Sequence, residues 1–285
     1  MQHSTCANHT AVNNDVTNTR GLSETGAGAV SCARHEFILP CGVCDLQKGE
    51  RYVRKFSVLI FLTTHIRYAN MDYIFFSCLR GNKVISLVLS YDVVCQWFKH
   101  IWKRMKQFPR SWHVDPNGKI FVTFLIPKFH LPAHIPYCHN TFSYNLTKNV
   151  GRTDGEAPER GWGDVDPLAP STREMGPGSR RDTLDDNLGD RNFKKCTRMG
   201  VSLLRKLKVA VDESAAHTTA HDLLTITVPP AVRPEWTAAI EAWEEDSTSR
   251  PNPYQVQVSG MYLVLIHQPF NLTVQTGSSH STCNP

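Results

Sequence analysis

The spacing of apolar positions changes period several times along the chain, and each change predicts an element. Residues 1–31 are polar, rich in Asn, Thr and Gly, and weakly periodic, so they read as loop with at most one short helix. NMDYIFFSCLRG at 70–81 places its apolar residues on a helical face and stops at Gly81, which predicts a short helix. KVISLVLSYD at 83–92 is β-branched and almost continuously apolar up to Asp92, the pattern of a buried strand. Directly after it, Val94, Trp97, Phe98, Ile101, Trp102 and Met105 fall on one stripe, so a single amphipathic helix is expected over 93–108. A second strand, GKIFVTFLIP, ends at Pro127. Strand, helix and strand in that order predict α/β packing around a sheet. Residues 192–215 read as a basic helix, residues 234–246 as an amphipathic helix with Pro234 in its first turn, and residues 249–256 as a proline-punctuated extended exit. The longest apolar run, FSVLIFL at 56–62, is too short to cross a membrane.

Composition supports a core and narrows the compartment. With 285 residues, 41% hydrophobic and 20% charged, the chain can build one sizeable core or two modest ones. The formal charge of +5 is concentrated at 99–110 and 191–208, either as phosphate-binding surface or as solvated helix faces. No charged leader followed by an apolar stretch opens the sequence, so an intracellular protein is expected, and its nine cysteines read as thiols or metal ligands rather than as a disulfide framework.

Four groups of residues can carry chemistry. Asp92 follows an apolar strand, where it either caps a helix starting at Val93 or holds a divalent cation. DGEAPER sets Asp154, Glu156 and Glu159 around Gly155, so that several carboxylates can reach one point, or remain solvated. FHLPAHIPYCH supplies His130, His134, Cys138 and His139; the spacing invites zinc, but Pro132 and Pro136 break the helix that an i, i+4 pair needs, and His130 can instead contact phosphate or orient a carboxylate. Cys6-x-x-His9 and Cys32-x-x-His35 form two matched pairs with zinc-ligand spacing, with Cys41 and Cys44 as a rival pair. A closed zinc site there would order a segment with little apolar material of its own.

Longer motifs carry a resemblance. GLSETGAGAVSCARHEFILP, DLQKGERY, NMDYIFFSCLRG, LSYDVVCQWFKHIW, IPKFHLPAHIPYC, the Gly/Arg/acidic block at 151–195 and RPEWTAAIEAWEEDSTSRPNPYQV look like the fungal Kyakuja-Dileera-Zisupton transposases of the type with an associated cysteine-cluster domain, over roughly residues 5–260. The resemblance implies a cut-and-paste DNA transposase with a ribonuclease-H-like core that uses acidic residues to hold Mg²⁺ or Mn²⁺. It makes Asp92 a metal-holding aspartate and Glu156 the late glutamate, with Glu159 its rival. Arg160, Arg173, Arg180 and Arg181 become contacts to the DNA backbone, since guanidinium forks match phosphate oxygens. The implied fold is α/β, an incomplete ribonuclease-H-like core with a mixed sheet and flanking helices plus a helical C-terminal part. The implied partners are DNA and, as an open option, a second copy of the chain, in the nucleus, with no membrane and no small-molecule substrate.

Three departures shape the expected organisation. The family's early aspartate, in an Asp-Gly-Asn-Phe-like strand, has no counterpart, so this chain is expected to be an inactive fragment of a strand-cleaving enzyme, or alternatively a non-catalytic DNA- or chromatin-binding protein. Residues 52–67 interrupt the family's run from GERY to NMDY, and both ends can encode splice signals, as expected of a retained intron; residues 261–285 can be read in the same way. The expected divisions are a loop-rich segment with a zinc site at 1–50, an insertion at 51–69, the core at 70–200, a helical extension at 201–260 and an aberrant tail at 261–285.

Overall fold

The computed structural model describes residues 26–46, 68–81, 84–114, 120–246 and 249–255. Cys6, His9, most of the 51–69 insertion and the 261–285 tail lie outside the described residues. The chain divides into two units, Met1–Thr225 and Ile226–Pro285.

In the first unit, strand β1 (Gly26–Ser31) pairs antiparallel with β2 (Ile38–Leu46). This corrects the expectation of loop for the end of the N-terminal segment. The strand escaped the sequence reading because GAGAVS has no apolar alternation of its own. Its inner face is filled from outside by helix α1 (Ala69–Leu79): a Cβ on Gly28 would meet Met71 Sδ at 3.4 Å and Ile74 Cδ1 at 3.5 Å. Glu36, in the hairpin loop, adopts a left-handed conformation with φ 63°.

Strand β3 (Ser86–Ser90) and strand β4 (Phe121–Leu125) pair in parallel, Ser86 opposite Phe121 through Ser90 opposite Leu125. The strand–helix–strand expectation therefore holds. The four described strands nevertheless form two separate two-stranded sheets, where one mixed sheet was expected. One reason is visible at the edge of β2, where Asn192 occupies both hydrogen-bonding groups of Ile38: its Oδ1 accepts from the Ile38 N–H at 3.0 Å and its Nδ2 donates to the Ile38 carbonyl at 2.9 Å. A further strand would need those groups.

The single helix expected after β3 is broken into α2 (Val94–Trp97) and α3 (Ile101–Met105), with left-handed His100 at φ 61° between them. The apolar stripe survives the bend, for Val94, Trp97, Ile101 and Met105 are all buried. What stabilises the break is Arg104, whose guanidinium donates to the carbonyls of Lys99 at 2.7 Å and Trp97 at 2.8 Å. The same side chain, 3% exposed, pairs with Asp72 of α1, 2% exposed, and the Trp97 indole N–H donates to Asp72 at 2.8 Å. Around this network Phe75, Phe76, Cys95, Ile126, Cys138 and Phe142 complete the core.

The Gly/Arg/acidic block is mainly helical. After α4 (Pro136–Thr141) come α5 (Ala157–Val165), α6 (Ala169–Thr172) and α7 (Pro177–Thr197), followed by α8 (Met199–Thr227), which has no buried residue. Asp182, Asp185 and Asp186 lie inside α7 on its exposed face. In the second unit, α9 (Arg233–Glu245) has Pro234 in its first turn, and its buried Trp243 meets Tyr254 edge-on at 5.7 Å. Among the described residues no helix is long and apolar enough to cross a membrane.

Candidate metal centre

Asp92 and His130 lie just past the C-terminal ends of the parallel pair β3 and β4, where open α/β sheets gather ligands. Val93 takes the cap position of the helix that follows. The Asp92 carboxylate faces His130, Oδ2 to Nδ1 at 3.6 Å. On the other side of the imidazole, Nε2 stands 3.9 Å from Glu156 Oε2 and 3.6 Å from Glu159 Oε1. One ligand atom from each of Asp92, His130 and Glu159 fits within 4.8 Å of the others. His130 Nε2 is buried and makes no hydrogen bond among the described residues, although it is aimed between two carboxylates.

The turn at 154–156 delivers the glutamates. Gly155 has φ +82°, a conformation that favours glycine, and it packs against Tyr144 and Pro127. Around it the backbone is stitched to the residues after β4: Lys128 N–H donates to the Asp154 carbonyl at 2.8 Å, and Phe129 N–H donates to Glu156 Oε1 at 2.8 Å. Of the three carboxylates around this glycine, Glu156 and Glu159 turn towards His130. Asp154 turns away, accepting from Arg160 at 2.8 Å.

The four arginines separate. Arg160 is tied to Asp154 and Glu36, and Arg180 to Asp45 at 3.0 Å, so both hold the hairpin or the turn in place. Arg173 and Arg181 are exposed. Lys195 also reaches Glu36, at 2.8 Å. Together with His35, Lys194, Lys195, Arg198, Arg205 and Lys206 line a groove between the hairpin loop and helices α7 and α8, where Glu36, Asp164 and Asp190 pair with Lys195, Arg191 and Lys194.

Burial opposes charge on Glu36, but hydrogen bonds from Lys195 and Arg160 outweigh it and hold the carboxyl below its ordinary 4.5. For Asp154 burial likewise acts upward, while Arg160 and the Glu156 N–H prevail and hold it below 3.8. A carboxyl with a lowered folded-state value binds fewer protons folded than unfolded, so the stability it contributes is present above the ordinary value and lost as pH falls through the folded one. The tether between hairpin, α5 and α7 is therefore expected to weaken below about pH 4.5. Hydrogen exchange of the 26–46 amides followed from pH 6 to pH 3 checks this; protection in Glu36→Gln should lose that dependence.

The zinc-spaced groups are redistributed. Cys32 Sγ and His35 Nδ1 lie 3.7 Å apart. Cys41 is exposed, burial raises the Cys44 thiol, and Cys78 is pushed up to about 12 by burial and by Cys41 nearby. His130 and His134 part company: His130 joins the carboxylates, while His134 stays with Cys138, as its spacing invited, and meets Cys95 in the core, a third member the sequence reading missed. It also missed Arg191, which crosses from α7 to Asp164 of α5 at 2.9 Å and to the Glu36 carbonyl at 3.2 Å. The overlooked signal was the pair of short spacings, Asp92 to Cys95 and His130 to His134, which lead from one cluster to the other.

No curated protein and no solved structure matches the chain. The family model of the Kyakuja-Dileera-Zisupton transposase matches residues 1–64 and 55–192, two segments that overlap within the 52–67 interruption. Together these matches span 1–192 of 285 residues, and they include every member of the Asp92, His130, Glu156 and Glu159 group. The motif resemblance and the family match agree, and the chain belongs to the Kyakuja-Dileera-Zisupton transposase family.

Proposed function

We propose that Asp92, Glu156 and Glu159, with His130, hold Mg²⁺ or Mn²⁺ against a DNA phosphate, in a remnant of a ribonuclease-H-like transposase core. The observation that carries this reading is the convergence of Asp92, His130 and Glu159 past the ends of two parallel strands, with Glu156 3.9 Å from the same imidazole. The donor set fits a hard cation, because carboxylate oxygens with one imidazole suit Mg²⁺ and Mn²⁺. A cation bound there supplies Lewis-acid polarisation of phosphoryl oxygen and a more acidic bound water. The chain's part is positional. Asp92 is held at the strand end, Glu156 is fixed by Phe129 N–H, and Glu159, more than half exposed, stands at the solvent side. The basic groove and the exposed Arg173 and Arg181 supply sequence-independent phosphate contact, consistent with a nuclear protein.

The functions to be measured on this chain are metal and DNA binding. In a Mn²⁺ titration followed by electron paramagnetic resonance, Asp92→Asn and Glu156→Gln should each weaken binding about 10–100-fold, and Asp182→Asn should not. Equal affinity across all four proteins would remove the centre. Arg173→Ala/Arg181→Ala should lower the salt slope of DNA binding by about 0.9 per lost phosphate contact.

A further inference from the structure

Close to the acidic group in sequence lies a second cluster of different chemistry. Cys95, His134 and Cys138 are 1%, 6% and 0% exposed, and one ligand atom from each lies within 4.8 Å of the others. Cys95 Sγ and His134 Nδ1 are 3.6 Å apart. With zinc–sulfur and zinc–nitrogen bonds of about 2.3 and 2.1 Å, a tetrahedral centre sets its sulfur–nitrogen edge at about 3.6 Å. A thiol–imidazole hydrogen bond accounts for the same distance between those two residues, but not for a second sulfur converging on them.

We propose that Cys95, His134 and Cys138 bind a structural Zn²⁺ in the core. Two sulfurs and a nitrogen select zinc over magnesium or manganese, so the two clusters take different metals although they share short stretches of chain. The helix-breaking prolines do not stand in the way, since the three ligands come from three places: α2, the residue after the turn at 131–133, and α4. His139, next to Cys138, has a buried Nε2 with no hydrogen-bond partner and is the neighbouring candidate for the fourth vertex. Zinc at this point would pin the segments bearing Asp92 and His130, three and four residues before Cys95 and His134. The proposal does not rest on the DNA chemistry above.

The test uses the full chain, stripped of metal and reconstituted with Zn²⁺ or Co²⁺. Wild type should retain about one zinc equivalent that depends on these residues, and its Co²⁺ form should show thiolate charge-transfer and tetrahedral d–d absorption. Cys95→Ala and Cys138→Ala should each abolish both signals, while Cys32→Ser, Asp92→Asn and Glu156→Gln should leave them intact. Because buried variants can fail to fold, circular dichroism accompanies each, and the wild-type cobalt spectrum stands independently of them. Wild type that takes up neither metal, or a folded Cys95→Ala/Cys138→Ala variant that keeps the cobalt spectrum, would overturn the proposal. Mn²⁺ binding at the acidic centre is read separately, so loss of one reading does not decide the other.

Discussion

Asp72→Ala is expected to destabilise the first unit by about 3–5 kcal/mol, the range for leaving one member of a buried ion pair without the other. Arg104 would keep its charge in a site only 3% exposed, and the Trp97 indole N–H would lose its acceptor. The usual escape, replacing both charges with apolar residues, should fail here. Arg104 also donates to the carbonyls of Trp97 and Lys99 at the break between α2 and α3, and the buried Trp97 carbonyl left without a donor costs about 1–3 kcal/mol. Asp72→Leu/Arg104→Leu is therefore expected to remain less stable than wild type. Urea unfolding checks both variants: the midpoint should fall at unchanged slope. A loss below about 1 kcal/mol for Asp72→Ala would show that water reaches the site and that the network is not a dry one.

Gly155→Ala is expected to be the most damaging single methyl group near the candidate centre. At φ +82° an alanine pays about 1–2 kcal/mol of backbone strain. Its Cβ would also overlap Ser90 Oγ and stand 2.9 Å from Tyr144 Cε2 and 3.0 Å from the Pro127 backbone, which adds about 1–3 kcal/mol of overpacking. Neighbouring strand end and proline leave little room to yield, so the turn must move outward and carry Glu156 with it. Binding of Mn²⁺ should fall by at least the amount seen for Glu156→Gln, whereas Gly163→Ala, at a position open to solvent, should leave it unchanged. Wild-type Mn²⁺ affinity in a folded Gly155→Ala protein would mean that the glutamates are not placed by this turn.

These two sites mark the boundary between what pattern could reveal and what it could not. Strands β3 and β4 and helices α1 and α9 were legible because each has its own apolar period, and period is a local property of the chain. Asp92, Glu156 and Glu159 were singled out because a carboxylate after an apolar strand, or beside a glycine turn, carries its chemistry in its immediate neighbours. The hairpin strand β1 was not legible, since the side chains that fill its inner face belong to α1. The break between α2 and α3 was not legible either, since a continuous stripe gives no sign that Arg104, held by Asp72 of α1, will take over the carbonyls at the bend.

By itself, then, the sequence determined the family and the α/β alternation and singled out the acidic residues as candidates, because these reside in contiguous motifs. Only the tertiary structure decided that His130 would stand among the carboxylates while His134, four residues on, would turn inward to Cys95 and Cys138. Which partner a side chain meets depends on how parallel strands and their connecting turns close in space, and no short-range period encodes that closure.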